Sequence, residues 1–526
     1  MDAAQHSWRK FADAAAAPLD AWAACCAEPE RAQQARLQVL LHSNRDSAFG
    51  RQHRFDLIRD RGDWQRRVPL QRWHDVQPWI ERISRGESGV LTSEAPRFLE
   101  PTSGSSAACK LIPYTPALLR EFQLALVVWL AALLRDCPEV ALGPSYWAIS
   151  PPVALQPPRG SDGEVRVPLG GATDAAYIRG SAAECLLPTL LVPAAAADGV
   201  QWRQQTLLAL LGAETLAMIS IWSPTFLSAL LRPLLDAGDP SRDSTLSAIR
   251  LALPAPRVRT IERAIGHGEF TSVWPQLAVV SCWMDGPSAA FADALSPLLP
   301  QARWIPKGLL ATEGVVSFSW AVGGSCALAV QSHLLEFIDD RGACCAPHQL
   351  IAGKRYRVVL STGGGLYRYE LGDEVAVTGF LDQTPCVRFV GRTDARCDMV
   401  GEKLDEALVR DAFAADAGMP PGACLVPLPL AQPARYALLL PSTSADHASG
   451  LARRLEAQLC GTVHYQQARE LGQLGPLTAH VVEGLGVALQ GAGEQIGQRA
   501  STIKPSALLT SLDAARALQR ELGFAP

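Results

Sequence analysis

Gly363-Gly364-Gly365-Leu366-Tyr367-Arg368-Tyr369-Glu370-Leu371-Gly372-Asp373 is the stretch on which the reading of this chain turns. Three successive glycines strip the Cβ atoms from a short piece of backbone, so that another group can approach it closely. The stretch lies in a segment, residues 308–390, made of short runs rich in Val, Phe and Tyr separated by Gly and Asp. The runs at 315–320, 327–330, 356–361, 374–380 and 387–390 predict strands joined by tight turns.

The texture changes on both sides of that segment. Beyond it, the pattern predicts a helix over 405–415, strands at 424–428 and 436–440, a helix over 448–460 and a strand around 480–482. A small α+β domain of about 130 residues fits. The polar segment 391–398 separates two apolar ones, which divides the chain into residues 1–392 and 393–526. Before it, residues 110–290 alternate Ala/Leu-rich helices with short β-like runs such as 146–149 and 277–282, the mark of α/β layers. Residues 216–235 read as two helices meeting at a turn, because Ser220, Ser223, Pro224 and Ser228 interrupt an apolar run. The first hundred residues read as helical, with apolar positions three and four apart from Trp8 to Leu41. The fold class is therefore α/β (α+β multidomain).

Composition narrows the function. Of 526 residues, 48% are hydrophobic and 19% charged, which is material for a large core and not for a disordered chain. The net charge of −4 gives no basic patch for nucleic acid and no attraction to an anionic membrane, so neither partner is expected. The clean apolar run 124–134 is too short for a span and predicts a buried helix. The N-terminal apolar stretch is broken by Asp13, Pro18 and Asp20 and does not read as a signal peptide. Thirteen cysteines, with no CxxC and no zinc-like spacing, read as reduced thiols of a cytoplasmic protein. Nothing in the sequence sets the oligomeric state.

Five motifs could carry chemistry. In Pro101-Thr102-Ser103-Gly104-Ser105-Ser106-Ala107-Ala108-Cys109-Lys110, small hydroxyl residues around a glycine can wrap a phosphate chain, and Lys110 adds a charge for it. It is no Walker loop, and a serine-rich surface loop has the same composition. In Ala311-Thr312-Glu313-Gly314, a hydroxyl beside a carboxylate suits a phosphate oxygen and a Mg²⁺ ion; a solvated pair looks alike. Asp373, next to a glycine at a strand start, could accept hydrogen bonds from two ribose hydroxyls, or be a bare turn aspartate. Phe389-Val390-Gly391-Arg392-Thr393-Asp394 falls at the domain boundary, and Gly401-Glu402-Lys403 after it can be a plain hairpin turn. Thr502-Ile503-Lys504-Pro505 carries a lysine whose backbone the following proline restricts. Such a lysine could reach a site made by the other domain, or lie on the surface.

Taken in order, the five motifs resemble the adenylate-forming superfamily, and more closely the auxin-responsive-promoter family of acyl-acid amido synthetases. Ser43-Asn44-Arg45-Asp46-Ser47-Ala48-Phe49-Gly50-Arg51 and Trp274-Pro275-Gln276-Leu277 leading to Cys282-Trp283-Met284-Asp285-Gly286 fit as well. The resemblance implies a large adenylation domain with β-sheets and a barrel-like subdomain, then a small mobile C-terminal domain. It implies that Thr102, Ser103, Gly104, Ser105, Ser106 and Lys110 form the phosphate loop of an ATP site. Thr312 would contact the α-phosphate, Glu313 would hold Mg²⁺ and Asp373 would bind ribose. Arg392 would lie at the hinge and near the nucleotide, and Lys504 would bridge the acyl carboxylate and the phosphate. Two positions depart from the pattern: Ala107 stands where a glycine is usual, and Leu309 where an aromatic residue often stacks on adenine.

The expected reaction is ATP-dependent activation of a small-molecule carboxylic acid as acyl-AMP, then transfer to an amine or amino acid. Acyl–coenzyme A ligation shares the first half, and a non-catalytic acid-binding homologue is the rival from another class. Trp129, Trp147, Trp222 and Trp283 could line an aromatic acyl pocket, or belong to the core.

Overall fold

The strand-rich segment folds into one antiparallel sheet of seven strands, as seen in a computed structural model. It describes residues 3–102, 110–148, 167–170, 177–193, 199–320, 326–393, 395–498, 500 and 503–523. The strand order is Cys344–Cys345, Leu334–Ile338, Arg355–Ser361, Tyr369–Leu381, Thr384–Arg392, Cys326–Leu328 and Ser317–Ser319. Each expected strand is present, and the run at 374–380 proves to be part of the longer Tyr369–Leu381. That strand bulges twice against Thr384–Arg392, which bends the sheet. The strand Leu334–Ile338 was not among those expected: it is buried throughout and carries Glu336 in its middle.

A second sheet is parallel: Ser145–Trp147, Met218–Ser220, Val279–Cys282 and Arg303–Pro306 lie side by side in chain order. The first three of its strands are buried on both faces, as crossover helices require. The reading of 216–235 as two helices is corrected here. The first half is the strand Met218–Ser220 and only the second, Pro224–Leu235, is helical. A three-residue strand buried on both sides has no period of two to reveal it.

Helices Ala3–Ala27 and Pro29–Asn44 cover the first core with Trp8, Phe11, Trp22 and Leu37. Helix Pro116–Asp136 starts at a proline and is capped by Thr115, whose Oγ1 accepts from the Leu118 N–H at 3.1 Å. Its length and composition would let it cross a membrane, yet it is largely buried inside the protein.

The last part of the chain builds a three-stranded sheet from Cys424–Leu428, Arg435–Leu440 and Thr478–Val481. Alternate residues point to opposite faces. Leu425, Leu438 and Leu440 enter one core, and Cys424, Val426 and Leu439 another. Helices Ala445–Leu459, Leu485–Gln495 and Leu512–Glu521 supply the cover. Between the large sheet and this one runs a short ribbon, Arg396–Cys397 paired with Leu404–Asp405. Gly401-Glu402-Lys403 is its turn, with Gly401 at φ 101° and Lys403 at φ 48°. Glu402 fastens it by accepting from the Met399 and Val400 N–H groups, both at 2.8 Å, and from the Tyr436 hydroxyl at 2.6 Å. All twelve described cysteines are free thiols. Burial pushes Cys282 up to about 12, which makes it a poor nucleophile.

Candidate active site

The site begins at a hairpin, Phe98–Pro101 against Leu111–Tyr114. Its ladder runs one step further, where the Thr102 N–H donates to the Lys110 carbonyl at 2.9 Å. Thr102 and Lys110 are thus held at the two feet of the serine-rich loop. Ser103, Gly104, Ser105, Ser106 and Ala107 lie outside the described residues. Lys110 Nζ donates to the Tyr369 hydroxyl at 3.2 Å, which ties this motif to the glycine-rich one.

Thr312 and Glu313 form the two-residue turn between Leu310–Ala311 and Gly314–Val315. The turn is braced on two sides. The Tyr114 hydroxyl donates to the Thr312 carbonyl at 2.7 Å, and the Val315 N–H donates to His333 Nε2 at 3.0 Å. With Nε2 accepting, His333 Nδ1 carries the proton and donates to Glu121 Oε2 at 3.0 Å. The same Glu121 oxygen accepts from the Gly363 N–H at 2.9 Å, and Arg36 pairs with the other. Only glycine fits at 314, because a Cβ there would come within 2.7 Å of Leu360 and 3.1 Å of His333.

The three glycines are indeed closely approached, but by the protein itself. A Cβ at Gly363 would meet Ala117 at 2.7 Å, at Gly364 the Pro113 carbonyl at 2.6 Å, and at Gly365 Leu91 at 2.6 Å. Downstream, Tyr367 is buried among Phe49, Phe55 and Trp64, and Arg368 Nε donates to Glu336 at 3.0 Å. Asp373 is not at a strand start: it lies inside Tyr369–Leu381, in register with Arg392. The Arg392 Nε is 3.9 Å from Asp373 Oδ1, a buried oxygen that accepts no hydrogen bond from the described residues. Such an atom is costly unless something polar arrives to fill its valence.

These groups face one cavity of about 620 Å³. Thr102, Lys110, Thr312, Glu313, Asp373 and Arg392 line it, and so does Lys504 from the far end of the chain. Burial raises the Glu313 carboxyl above the usual range, with Lys110 and Arg392 opposing and Asp373 adding to the shift. Lys504 Nζ stands 5.1 Å from the centre of the Trp283 ring. Of the four tryptophans expected around an acyl pocket, Trp283 lines the cavity. Trp129 and Trp222 flank Lys307 instead, whose Nζ donates to Ser220 Oγ at 2.7 Å. Leu309 lines the cavity.

The cavity also contains groups that the motifs did not single out. Asp285 is one; it accepts from the Phe389 N–H at 3.3 Å, and burial raises its carboxyl. Glu406 is another: it is buried, also raised by burial, and accepts from Ser506 Oγ at 2.9 Å and the Ala507 N–H at 3.1 Å. Glu406 sits in a helix that the sequence predicts, yet its partners lie a hundred residues away, where no local pattern points to them.

Comparison with known proteins places this geometry. The GH3 family N-terminal domain matches residues 19–303 and the GH3 family central domain residues 326–392. The indole-3-acetic acid-amido synthetase GH3.8 of Oryza sativa subsp. indica is 23% identical over 421 residues, covering 72% of this chain and 69% of that protein. The indole-3-acetic acid-amido synthetase GH3.2 of Arabidopsis thaliana is 22% identical over 441 residues, covering 73% and 78%. Among solved structures, the GH3.15 acyl acid amido synthetase superposes with a TM-score of 0.76 at 18% identity, over 95% of both chains. A 2-hydroxyisobutyryl-CoA ligase in its postadenylation state shares the fold more distantly, at a TM-score of 0.53 and 12% identity, over 94% of this chain and 92% of that one. The chain belongs to the GH3 family.

Proposed function

We propose that this cavity binds ATP and a carboxylic acid, joins them as acyl-AMP, and then passes the acyl group to an amino acid. The observation that carries the reading is the convergence of Lys110, Glu313, Asp373, Arg392 and Lys504 on one cavity from five separate motifs.

A carboxylate is a poor electrophile, because its leaving group would be oxide. In the first step its oxygen attacks the α-phosphorus of ATP, the bond to the bridging oxygen breaks, and pyrophosphate leaves with the electron pair. Such a displacement needs alignment and charge neutralisation more than acid–base chemistry. Thr102, Lys110 and the serine-rich loop would hold the phosphates, and Thr312 the α-phosphate. Asp373 Oδ1, buried without a hydrogen bond among the described residues, suits a ribose hydroxyl. Lys504 would stand between the acyl carboxylate and the phosphate, and Arg392 beside the nucleotide. Glu313 suits a metal that arrives with the nucleotide. Its carboxylate is buried against its preference, and no group of three ligating side chains forms a protein cage among the described residues. Mg²⁺ held there would supply positive charge to the phosphates.

In the second step the amine nitrogen attacks the acyl carbon, the C–O bond to AMP breaks, and the amine gives up a proton. Acyl-AMP is labile in water, so a cover that opens only to the acceptor is useful. Residues 393–526, which bring Lys504 to the cavity, would be that mobile cover over residues 1–392.

The test is ATP–pyrophosphate exchange over a panel of aryl and fatty acids, followed by an acceptor screen. Exchange with at least one acid, and AMP release stimulated by amino acids and not by coenzyme A, is expected. Stimulation by coenzyme A alone would replace amide synthesis with thioester synthesis. No exchange with any acid would leave only a binding role.

A further inference from the structure

We infer that Glu406 is a positioning residue for adenylation: its carboxylate holds the segment that carries Lys504 at the cavity wall. The inference rests on the role proposed for Lys504. Glu406 is the first residue of helix Glu406–Ala415, yet its hydrogen bonds do not serve that helix. Oε1 accepts from the Ala507 N–H at 3.1 Å and lies 2.9 Å from Ser506 Oγ, whose one proton it shares with the Leu508 carbonyl at 2.5 Å; these are two and three residues past Lys504. The neighbouring Asp405 makes no cap bond either and pairs with Arg396, Nε to Oδ1, at 2.6 Å. Glu406 is 4% exposed. A carboxylate so placed is costly unless its hydrogen bonds are made, which makes the contact specific rather than incidental.

On its near side the Ala500 carbonyl accepts from Gln490 Nε2, and on its far side the segment joins a sheet. The Leu425 N–H donates to the Ala507 carbonyl at 2.8 Å and the Leu509 N–H to the Leu425 carbonyl at 2.9 Å, which joins 507–509 to the strand Cys424–Leu428. Pro505 has no N–H to give, and it narrows the backbone of Lys504. Glu406 therefore anchors the chain just where the regular ladder has ended and before the lysine begins. Glu406, Lys504, Pro505 and Ser506 all line the same cavity, with Arg392 across it. A loss of this anchor frees the direction in which Lys504 points, while the phosphate and ribose groups on the other wall stay as they are. The effect should fall on the half-reaction that uses Lys504.

The experiment uses the full chain and measures two rates: pyrophosphate exchange with an acid the wild type accepts, and aminolysis of chemically made acyl-AMP. Glu406→Ala should slow exchange about tenfold, the worth of one charge-assisted hydrogen bond, and slow aminolysis much less. Glu406→Gln keeps an oxygen that can accept both bonds and should recover most of the exchange. Glu406→Ala added to Lys504→Ala should cost nothing further, because the two act as one unit. Should Glu406→Ala fail to fold, as judged by its melting curve, Ser506→Ala removes one of the two bonds and should show the same split between the half-reactions. Wild-type exchange in Glu406→Ala or Ser506→Ala, equal loss in both half-reactions, or a double variant slowed by the product of the single effects would each overturn the inference. A wild type with no exchange at all would instead overturn the reading of the cavity, and this inference with it.

Discussion

The two walls of the cavity are built differently. The wall from the first 392 residues is cross-braced: Tyr114 holds the Thr312 carbonyl, His333 the Val315 N–H, and Glu121 both His333 and Gly363. Three of the four bonds are buried, and the longest of them in sequence spans 242 residues, Glu121 to Gly363. The wall from the last part of the chain meets the cavity through Arg396, Glu406, one face of helix Leu485–Gln495 and the runs 503–506 and 508–514. There Lys504 rests on the Trp283 ring, and Glu406 fastens its segment through a single carboxylate oxygen. The first wall is made to keep one shape. In the second, the segment that carries Lys504 is fastened beside the lysine by Glu406, a contact that can be removed without touching the braces of the first wall. A cradle that binds nucleotide needs the first property, and an arm that serves only one half-reaction needs the second.

The comparison breaks first if Glu313 proves dispensable. Glu313→Ala should lower Mg²⁺-dependent pyrophosphate exchange by about 10³-fold, the scale for losing a charge-stabilising group, with the fold kept by circular dichroism. Wild-type exchange in that variant would remove the metal role from the braced wall. Lys504→Ala should lower exchange about 100-fold and leave aminolysis of supplied acyl-AMP nearly intact. Equal loss in both would show that the arm serves both half-reactions. The smallest effect is on stability. Because burial raises the Glu313 carboxyl in the folded protein, the folded state binds its proton more tightly than the unfolded chain. Stability is therefore lost as pH rises from the ordinary carboxylate value, about 4.3, through the raised one. Glu313→Gln has no such proton to release. The stability of the variant relative to wild type should rise between pH 4 and pH 7, read from melting curves. A difference that stays flat with pH would mean that the Glu313 carboxyl is not raised by burial.

Much of the architecture was legible in the sequence, where pattern and turn residues agree. The strand Cys424–Leu428 lies where its apolar run predicts it, and the helix expected over 405–415 is Glu406–Ala415. What escaped reading was buried on both faces. Leu334–Ile338 carries Glu336 at its centre, whose partners Trp64, Gln65 and Arg368 come from other segments. Met218–Ser220 is too short to show a period and was masked by the serines and proline after it. The cradle residues Lys110, Thr312, Glu313 and Asp373 were legible because each sits in a compact motif with its own composition. Glu406 was not, since its meaning lies in Ser506 and Ala507, brought to it only by the fold. Tyr369 was quoted as part of a glycine-rich turn, and its hydroxyl contact with Lys110 appears only in three dimensions.

The Gly363-Gly364-Gly365 turn works as a mortise. Leu91 and the strand-to-helix junction that carries Pro113 and Ala117 are the tenons, and they seat where no side chain intrudes. A distant relative that kept the cavity carboxylates but carried bulk at position 364 would have to re-cut the joint by moving Pro113, and with it the hairpin that holds Thr102 and Lys110 in place. Those glycines therefore report on whether the nucleotide cradle survives, although they line none of it.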